Sequence, residues 1–304
     1  MPLLDGDHGQ GACITLGNFD GVHLGHQALI TLAEKTAREH GLLFTLITFW
    51  PHPRSILTGN KPHRPLTSRE ERMRLLKALK VDRIIELPFT PQLAGLLPEE
   101  FVKQYLLPLS MKELVIGHDF TLGKNRLGNC AHLAQLGKIW NFNTRQAQAF
   151  ALEGEPISST RLRKAICAGN MEIAQAMLGR PYAIQGFVTH GFGRGAGLGF
   201  PTANLSHSPV LLPGNGVYAT WASINGQKYK SVTNIGTNPT FGNTDTSVEC
   251  HLLEGGRDLY DQPMQIEFAK RLREERKFAT PKELQSQIEY DISAARDFLT
   301  DPDA

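Results

Sequence analysis

The sequence predicts two successive folds: a doubly wound α/β domain built on a parallel sheet, then a small antiparallel β-barrel (a sandwich is the alternative) with a C-terminal helix. Three observations predict it. From Ala12 to Ala168, short apolar runs alternate with helical stretches, the pattern of a parallel sheet with helices on both faces. From Tyr182 onward the signal changes to short strands punctuated by glycine and proline. The closing segment, Pro281 to Leu299, places Leu284, Ile288, Ile292 and Ala295 at helical spacing. A chain of 304 residues accommodates two domains, and the boundary is expected near Gly179-Arg180-Pro181, dividing it into 1–180 and 181–304.

Taken in order, Ala12 to Leu16 reads as a strand. His26 to His40 reads as a helix with Leu29, Ile30 and Ala33 on one face and Gly41 as its stop. Leu42 to Phe49 is a second strand, within an apolar run about half the ~20 residues that span a bilayer. Ser68 to Leu79 is a helix, with Ser68 and Glu71 spaced as a capping box. Arg83 to Glu86 and Leu114 to Gly117 are strands, Pro98 to Leu107 a helix, and Thr160 to Ala168 a short helix closed by Gly169. In the second half, Ala183 to Thr189 is strand-like. Val217 to Ile224 and Gln227 to Val232 flank Asn225-Gly226, a type I′ hairpin signal; Val248 to Leu253 and Met264 to Ala269 are further strands.

Composition narrows the function. Hydrophobic residues make up 41% and charged residues 20%, which fits a folded protein and argues against long disorder. A formal net charge of +2 does not supply the concentrated basic face of a nucleic-acid binder, yet permits small phosphorylated ligands. Cys13, Cys130, Cys167 and Cys250 form no C-x-x-C pair and read as reduced thiols. With no signal-peptide pattern at Met1 to Gly11 and no membrane-spanning run, a cytoplasmic protein without membrane partners is expected.

Two constellations carry chemistry. The first, Gly17-Asn18-Phe19-Asp20-Gly21-Val22-His23-Leu24-Gly25-His26, joins the first strand to the first helix. A glycine-rich turn at a strand's carboxyl end and a helix N-terminus suits phosphate. His23 and His26, three apart, can share a face and donate hydrogen bonds to developing oxyanion charge. Taken alone, H-x-x-H is also a surface pair or half a zinc site, but no Cys/His pair with ligand spacing lies nearby. Further on, Ser158 and Ser159 suit an N-cap. Arg161 and Arg163 in the first turn oppose the helix dipole unless a phosphate binds there; a plain capped helix with exposed arginines is the alternative.

The second constellation begins at Gly191 to Gly199, a glycine-rich stretch that alone is a hairpin tip, followed by Phe200-Pro201-Thr202-Ala203-Asn204. Thr202 and Asn204 face one way on a strand and offer Mg²⁺ two oxygen ligands, or else make polar turn contacts. Glu249 alternates with Val248 and Cys250 and can serve as general base, or as a plain exposed strand carboxylate.

These segments resemble the bacterial riboflavin kinase/FMN adenylyltransferase (FAD synthetase) family over nearly the whole chain. Gly17 to His26 resembles the H-x-G-H signature of nucleotidyltransferases. Phe49-Trp50-Pro51-His52-Pro53 resembles the family's F-x-P-H-P loop, Gly117-His118-Asp119-Phe120 its G-x-D-F segment, and Ile157 to Arg163 its I-S-S-T-x-x-R motif. Leu122 stands where the family usually has phenylalanine, and Ala196 where many members carry arginine. Pro201 to Asn204, Asn234 to Thr240, Val248 to His251, Asp258-Leu259-Tyr260 and Arg271 to Phe278 resemble the kinase motifs.

The resemblance implies adenylyl transfer by 1–180 and riboflavin phosphorylation by 181–304. His23, His26 and Glu249 would be catalytic. Gly17, Asn18, Phe19, Asp20, Asp119, Ser158, Ser159, Thr160, Arg163, Gly191, Gly193, Arg194 and Gly195 would bind nucleotide. Phe49, Pro51, His52, Pro53 and Asn234 would bind flavin, and Thr202 and Asn204 would hold Mg²⁺. ATP is the implied co-substrate, riboflavin and FMN the acceptors, and FMN and FAD the products; self-association is left open. A lone kinase with a decayed first half, a flavin carrier, and a transferase for another acceptor are the rival readings. No Walker motif occurs.

Overall fold

The computed structural model describes residues 10–58, 63–190, 199–237, 246–254 and 259–300. The chain divides into two compact units, Met1–Ser158 and Ser159–Ala304.

The first unit contains β1 (Ala12–Leu16), α1 (Leu24–Glu39), β2 (Leu43–Trp50), α2 (Pro53–Leu57), α3 (Arg69–Lys77), β3 (Arg83–Pro88), α4 (Pro91–Ala94), α5 (Pro98–Phe101), β4 (Met111–Ile116), α6 (Cys130–Trp140) and β5 (Asn143–Gln146). A small hairpin, β6 (Ala151–Leu152) and β7 (Glu155–Pro156), follows. The main sheet is parallel in the order β3-β2-β1-β4-β5. Both its faces are buried, which is why its central strands read as unbroken apolar runs. Ile14, Leu16, Ile47 and Leu114 meet Phe101, Leu133 and Leu136 on one face. Cys13, Phe44, Leu46 and Val115 meet Leu29, Ile30, Ala33, Ala37 and Leu76 on the other. Gly41, at φ +62°, stops α1 as expected. Ser68 Oγ accepts the Glu71 N–H at 3.1 Å and starts α3. The helix expected over Pro98 to Leu107 is not uniform: α5 runs into a π-helical turn, Val102–Leu106, and a 3₁₀ turn, Leu107–Leu109.

The second unit contains α7 (Ser159–Cys167), α8 (Met171–Leu178), β8 (Tyr182–Thr189), β9 (Ala203–His207), β10 (Gly216–Ile224), β11 (Gln227–Thr237), β12 (Thr246–Leu252), β13 (Pro263–Arg273) and α9 (Pro281–Phe298). Its strands close an antiparallel barrel in the order β10-β11-β12-β9-β8-β13. Ile224 lies opposite Gln227 across Asn225 (φ 50°) and Gly226 (φ 79°), the two positive dihedrals of a type I′ turn. Thr280 caps α9 through its hydroxyl. The helix lays Ala295 and Leu299 over Val217, Ala219 and Trp221, an apolar patch on the barrel's outer face that would otherwise meet water.

All four cysteines are unpaired, and burial pushes the Cys13 thiol up to about 12. Among the described residues, no helix is long and apolar enough to cross a membrane.

Candidate active sites

In the first unit the chain winds outward from β1 through β2 to β3, then returns to place β4 on β1's other side. The carboxyl ends of β1 and β4 therefore flank a topological switch point, where open α/β sheets bind ligands. Gly17 to Asp20 follows β1, and Gly117 to Asp119 follows β4. The turn after β1 is conformationally unusual. Phe19 (φ 48°) and Val22 (φ 42°) adopt left-handed backbone, sparsely populated by non-glycine residues and most costly for a β-branched one. The Phe19 ring is buried edge-on to His26, centroids 5.3 Å apart.

The two histidines come together as expected. His23 caps α1, its Nδ1 accepting the His26 backbone N–H at 3.3 Å. The rings stack, centroids 3.6 Å apart at 16°. Because Nδ1 of His23 accepts, the neutral ring carries its proton on Nε2, so His23 is a donor of fixed tautomer. Gly25 keeps this geometry possible: a Cβ there would lie 3.1 Å from His23 Nδ1 and 3.3 Å from the Ile157 carbonyl oxygen. His26 Nδ1 is enclosed without a hydrogen-bond partner. Burial, and secondarily the neighbouring His23, holds the His26 imidazole well below the usual histidine range. The two imidazoles stand at the N-terminus of a 16-residue helix, where the helix's positive end favours an incoming anion.

The other candidates divide into presented and packed residues. Gly17 and Asn18 are half-buried at the turn, and the Asp119 side chain is 77% exposed. Asp20 is buried, and its Oδ1 accepts the Leu66 N–H at 2.7 Å. Phe49 is buried beside Phe89 and Phe101 in the core. His52 caps α2 by accepting the Arg54 N–H at 3.1 Å, Pro53 is buried in that helix's first turn, and Pro51 is partly open. Leu122 is a core residue whose backbone pairs with Gly128, so this substitution fills a packing position.

Asp20, His52 and His63 bring one potential ligand atom each within 4.8 Å of one another. The cap at His52 argues against a cation there. Its Nδ1 lone pair is committed to Arg54 and its proton sits on Nε2, as in a hydrogen-bonded cluster.

Ser158 directly precedes α7 and Ser159 begins it. Thr160 is exposed; Arg161 falls in the first turn, and Arg163 just beyond it, one residue later than expected. Gly191, Gly193, Arg194 and Gly195 lie outside the described residues, as do Ala196, Asp258 and Asn238 to Thr240.

In the second unit, strand register assembles the site. Asn204 on β9 lies directly opposite Glu249 on β12, and Glu249 directly opposite Asn234 on β11. Directly opposed residues share a face, with Cβ atoms ~5 Å apart. That face is the outer one, since Val248, Cys250 and Leu252 alternate with Glu249 and are buried. The row continues from Asn234 to Val217, under α9, and to Arg273. Thr202, half-buried, lies just ahead of β9. Beside the row a groove of about 480 Å³ runs between Phe200, His251 and the α9 residues Ile292 and Arg296, a size suited to a small ligand.

Comparison with known proteins identifies the family. The FAD synthetase family matches residues 6–161, and the riboflavin kinase family matches residues 178–299. The bifunctional riboflavin kinase/FMN adenylyltransferase of Bacillus subtilis is 38% identical over 93% of this chain and 90% of its own. The Escherichia coli K12 protein described by the same words is 36% identical over 99% and 100%. The chain belongs to the bifunctional riboflavin kinase/FMN adenylyltransferase family. A solved Streptococcus pneumoniae structure, described as a macrolide-efflux protein, is 31% identical and superposes with a TM-score of 0.87 over 96% of each chain.

His251 closes the Val248 to His251 motif, but the motif assigns it no role. His251 Nδ1 donates to the Pro201 carbonyl oxygen at 2.8 Å, and its ring meets Phe200 edge-on at 5.9 Å. It thereby ties the loop before Thr202 to the strand that carries Glu249. The available signal was its spacing, two residues after Glu249 and so on the same face.

Proposed function

We propose that the barrel's outer face phosphorylates riboflavin, and that the β1/β4 crevice adenylylates the resulting FMN. As a family member, the chain makes FMN from riboflavin and FAD from FMN, consuming ATP in both steps. The observation that carries the residue assignment is the Asn204–Glu249–Asn234 row, which sets one carboxylate between two amides on a solvent-reachable face.

In the kinase reaction, Glu249 accepts the proton of riboflavin's terminal hydroxyl as that oxygen attacks the γ-phosphorus of ATP; the bond from that phosphorus to the β,γ-bridging oxygen breaks, and ADP leaves with the negative charge. Asn234 orients the flavin's ribityl chain, and Gly191, Gly193, Arg194 and Gly195 are assigned to the nucleotide on the family resemblance alone. Thr202 and Asn204 fit Mg²⁺, because a hydroxyl and an amide oxygen are the hard donors it prefers. Bound there, the ion would neutralise charge on the β- and γ-phosphates.

In adenylyl transfer, a phosphate oxygen of FMN attacks the α-phosphorus of ATP. The bond from that phosphorus to the bridging oxygen breaks, and pyrophosphate leaves with the negative charge. His23 Nε2–H and His26 donate to the phosphate oxygens on which charge accumulates. Gly17 to Asp20, Asp119 and Ser158 hold the nucleotide, and Phe49 to Pro53 borders the flavin. Positioning dominates, since phosphate is already a competent nucleophile. We place the boundary between the activities near Arg180, and the enzyme in the cytoplasm.

The test is chromatography of flavins over time. Glu249→Gln should abolish riboflavin phosphorylation while still converting supplied FMN to FAD. His26→Ala should make FMN at the wild-type rate and lose FAD formation by roughly 10²-fold or more, the scale for a transition-state donor. Retained kinase activity in Glu249→Gln overturns its role as base; joint loss of both activities in folded His26→Ala overturns the division into two sites.

A further inference from the structure

Arg72 lies on α3, outside every motif of the two constellations, yet its side chain is only 3% exposed. It continues the stripe of Leu76 and Leu79, four and seven residues on, a place where an apolar residue is the ordinary occupant. Burying a guanidinium is costly unless its donors are met, and burial does lower this group's pKa. Its donors are spent on three separate strand ends. One terminal nitrogen donates to the Asn18 carbonyl oxygen at 3.1 Å, in the turn after β1. The other donates to the Phe49 carbonyl oxygen at 3.0 Å, near the end of β2, and to Glu86 on β3 at 3.1 Å. The guanidinium also sits 5.5 Å from the centroid of the Trp50 ring, at the last residue of β2. Nε is buried without a hydrogen-bond partner, so the planar fork is held for its two ends and not by its own pocket.

A salt bridge to Glu86 alone would need neither carbonyl. The bonds to Asn18 and Phe49 fix the distance between the turn assigned to nucleotide and the loop assigned to flavin. We infer that Arg72 is a positioning residue for adenylyl transfer, setting the span across which the FMN phosphate meets the α-phosphate of ATP. The inference rests on the ligand assignments proposed above. Misplacement by about 1 Å costs such reactions roughly 10²-fold, so the effect should be large. Lysine supplies one compact ammonium and cannot fork between two carbonyls and a carboxylate.

The experiment compares Arg72→Met, Arg72→Lys and His26→Ala in the full chain, measuring FMN adenylylation and riboflavin phosphorylation in the same preparations. Arg72→Met should lower adenylylation kcat/KM at least tenfold, with a raised KM for FMN. Arg72→Lys should recover part of this, and the kinase constants should stay at wild-type values. Unchanged adenylylation in Arg72→Met, where His26→Ala loses it, overturns the role of Arg72 alone. Loss of active enzyme without a change in KM for FMN reduces Arg72 to a folding role and equally overturns it. Retained adenylylation in His26→Ala overturns the ligand assignments, and the inference with them.

Discussion

At the residue scale, His26 gives up its proton affinity on folding, because its ring is enclosed and stacked on a second imidazole. In the unfolded chain the same ring takes up a proton near its ordinary value of about 6.5. Below that pH the unfolded state binds more protons than the folded one, so stability falls as the solution is acidified. Above it both states are neutral, and His26 has no pH dependence to contribute. Thermal unfolding between pH 7.5 and 5.5 should therefore show a larger drop in midpoint for the wild type than for His26→Gln. Equal drops would mean that His26 keeps its proton when folded. The histidine pair itself was legible in the sequence, because a strand–glycine–histidine–helix order constrains where the rings can point. What the motif could not reveal is which of its members face a ligand. Asp20 and Phe49 match family positions, yet one is bonded to the Leu66 backbone and the other packs among aromatic rings. Such roles depend on partners far away in the chain.

At the element scale, α9 is seated by more than its apolar stripe. Asp291 is buried on it and accepts from Arg273 Nε at 2.9 Å and from Gln287 at 2.7 Å. Arg273 in turn lies opposite Val217, at the end of the row that holds Glu249. Removing one member of a buried pair leaves the other charge uncompensated, a loss of about 3 kcal/mol, the lower end of the usual range because Arg273 is 19% exposed. Asp291→Ala should thus speed amide exchange along α9 and lower kinase activity while FMN adenylylation persists. Unaltered exchange would show that apolar contacts alone hold the helix. The periodicity of α9 was readable because one face is apolar over eighteen residues. By contrast α6 and β5 escaped notice: α6 buries only Leu133, Leu136 and Gly137, and β5 buries none of its four residues. An edge strand covered on few sides leaves little periodic signal. Five of the barrel's six strands were individually legible; β9 was touched only through Thr202 and Asn204, and the strand order was not readable, since β9 lies between β12 and β8 through pairings remote in sequence.

At the scale of the whole molecule, the two assigned centres share a product. FMN leaves the barrel row and is the acceptor at the β1/β4 crevice, and both reactions draw on ATP. Two centres that act independently pass FMN through solution. This has a consequence that single variants do not test. Glu249→Gln lacks the kinase and His26→Ala lacks adenylyl transfer, so neither alone should convert riboflavin to FAD. Mixed in equal amounts, they should do so, because FMN released by one chain diffuses to the other. FAD should appear after a lag that shortens as protein concentration rises, since the lag is the time free FMN takes to approach the KM of the adenylyl step. Added apoflavoprotein that captures free FMN should suppress FAD formation in the mixture and in the wild type alike. If the wild type resists that trap while the mixture does not, FMN is handed between sites without release, and the division into two independent centres fails for the intact enzyme.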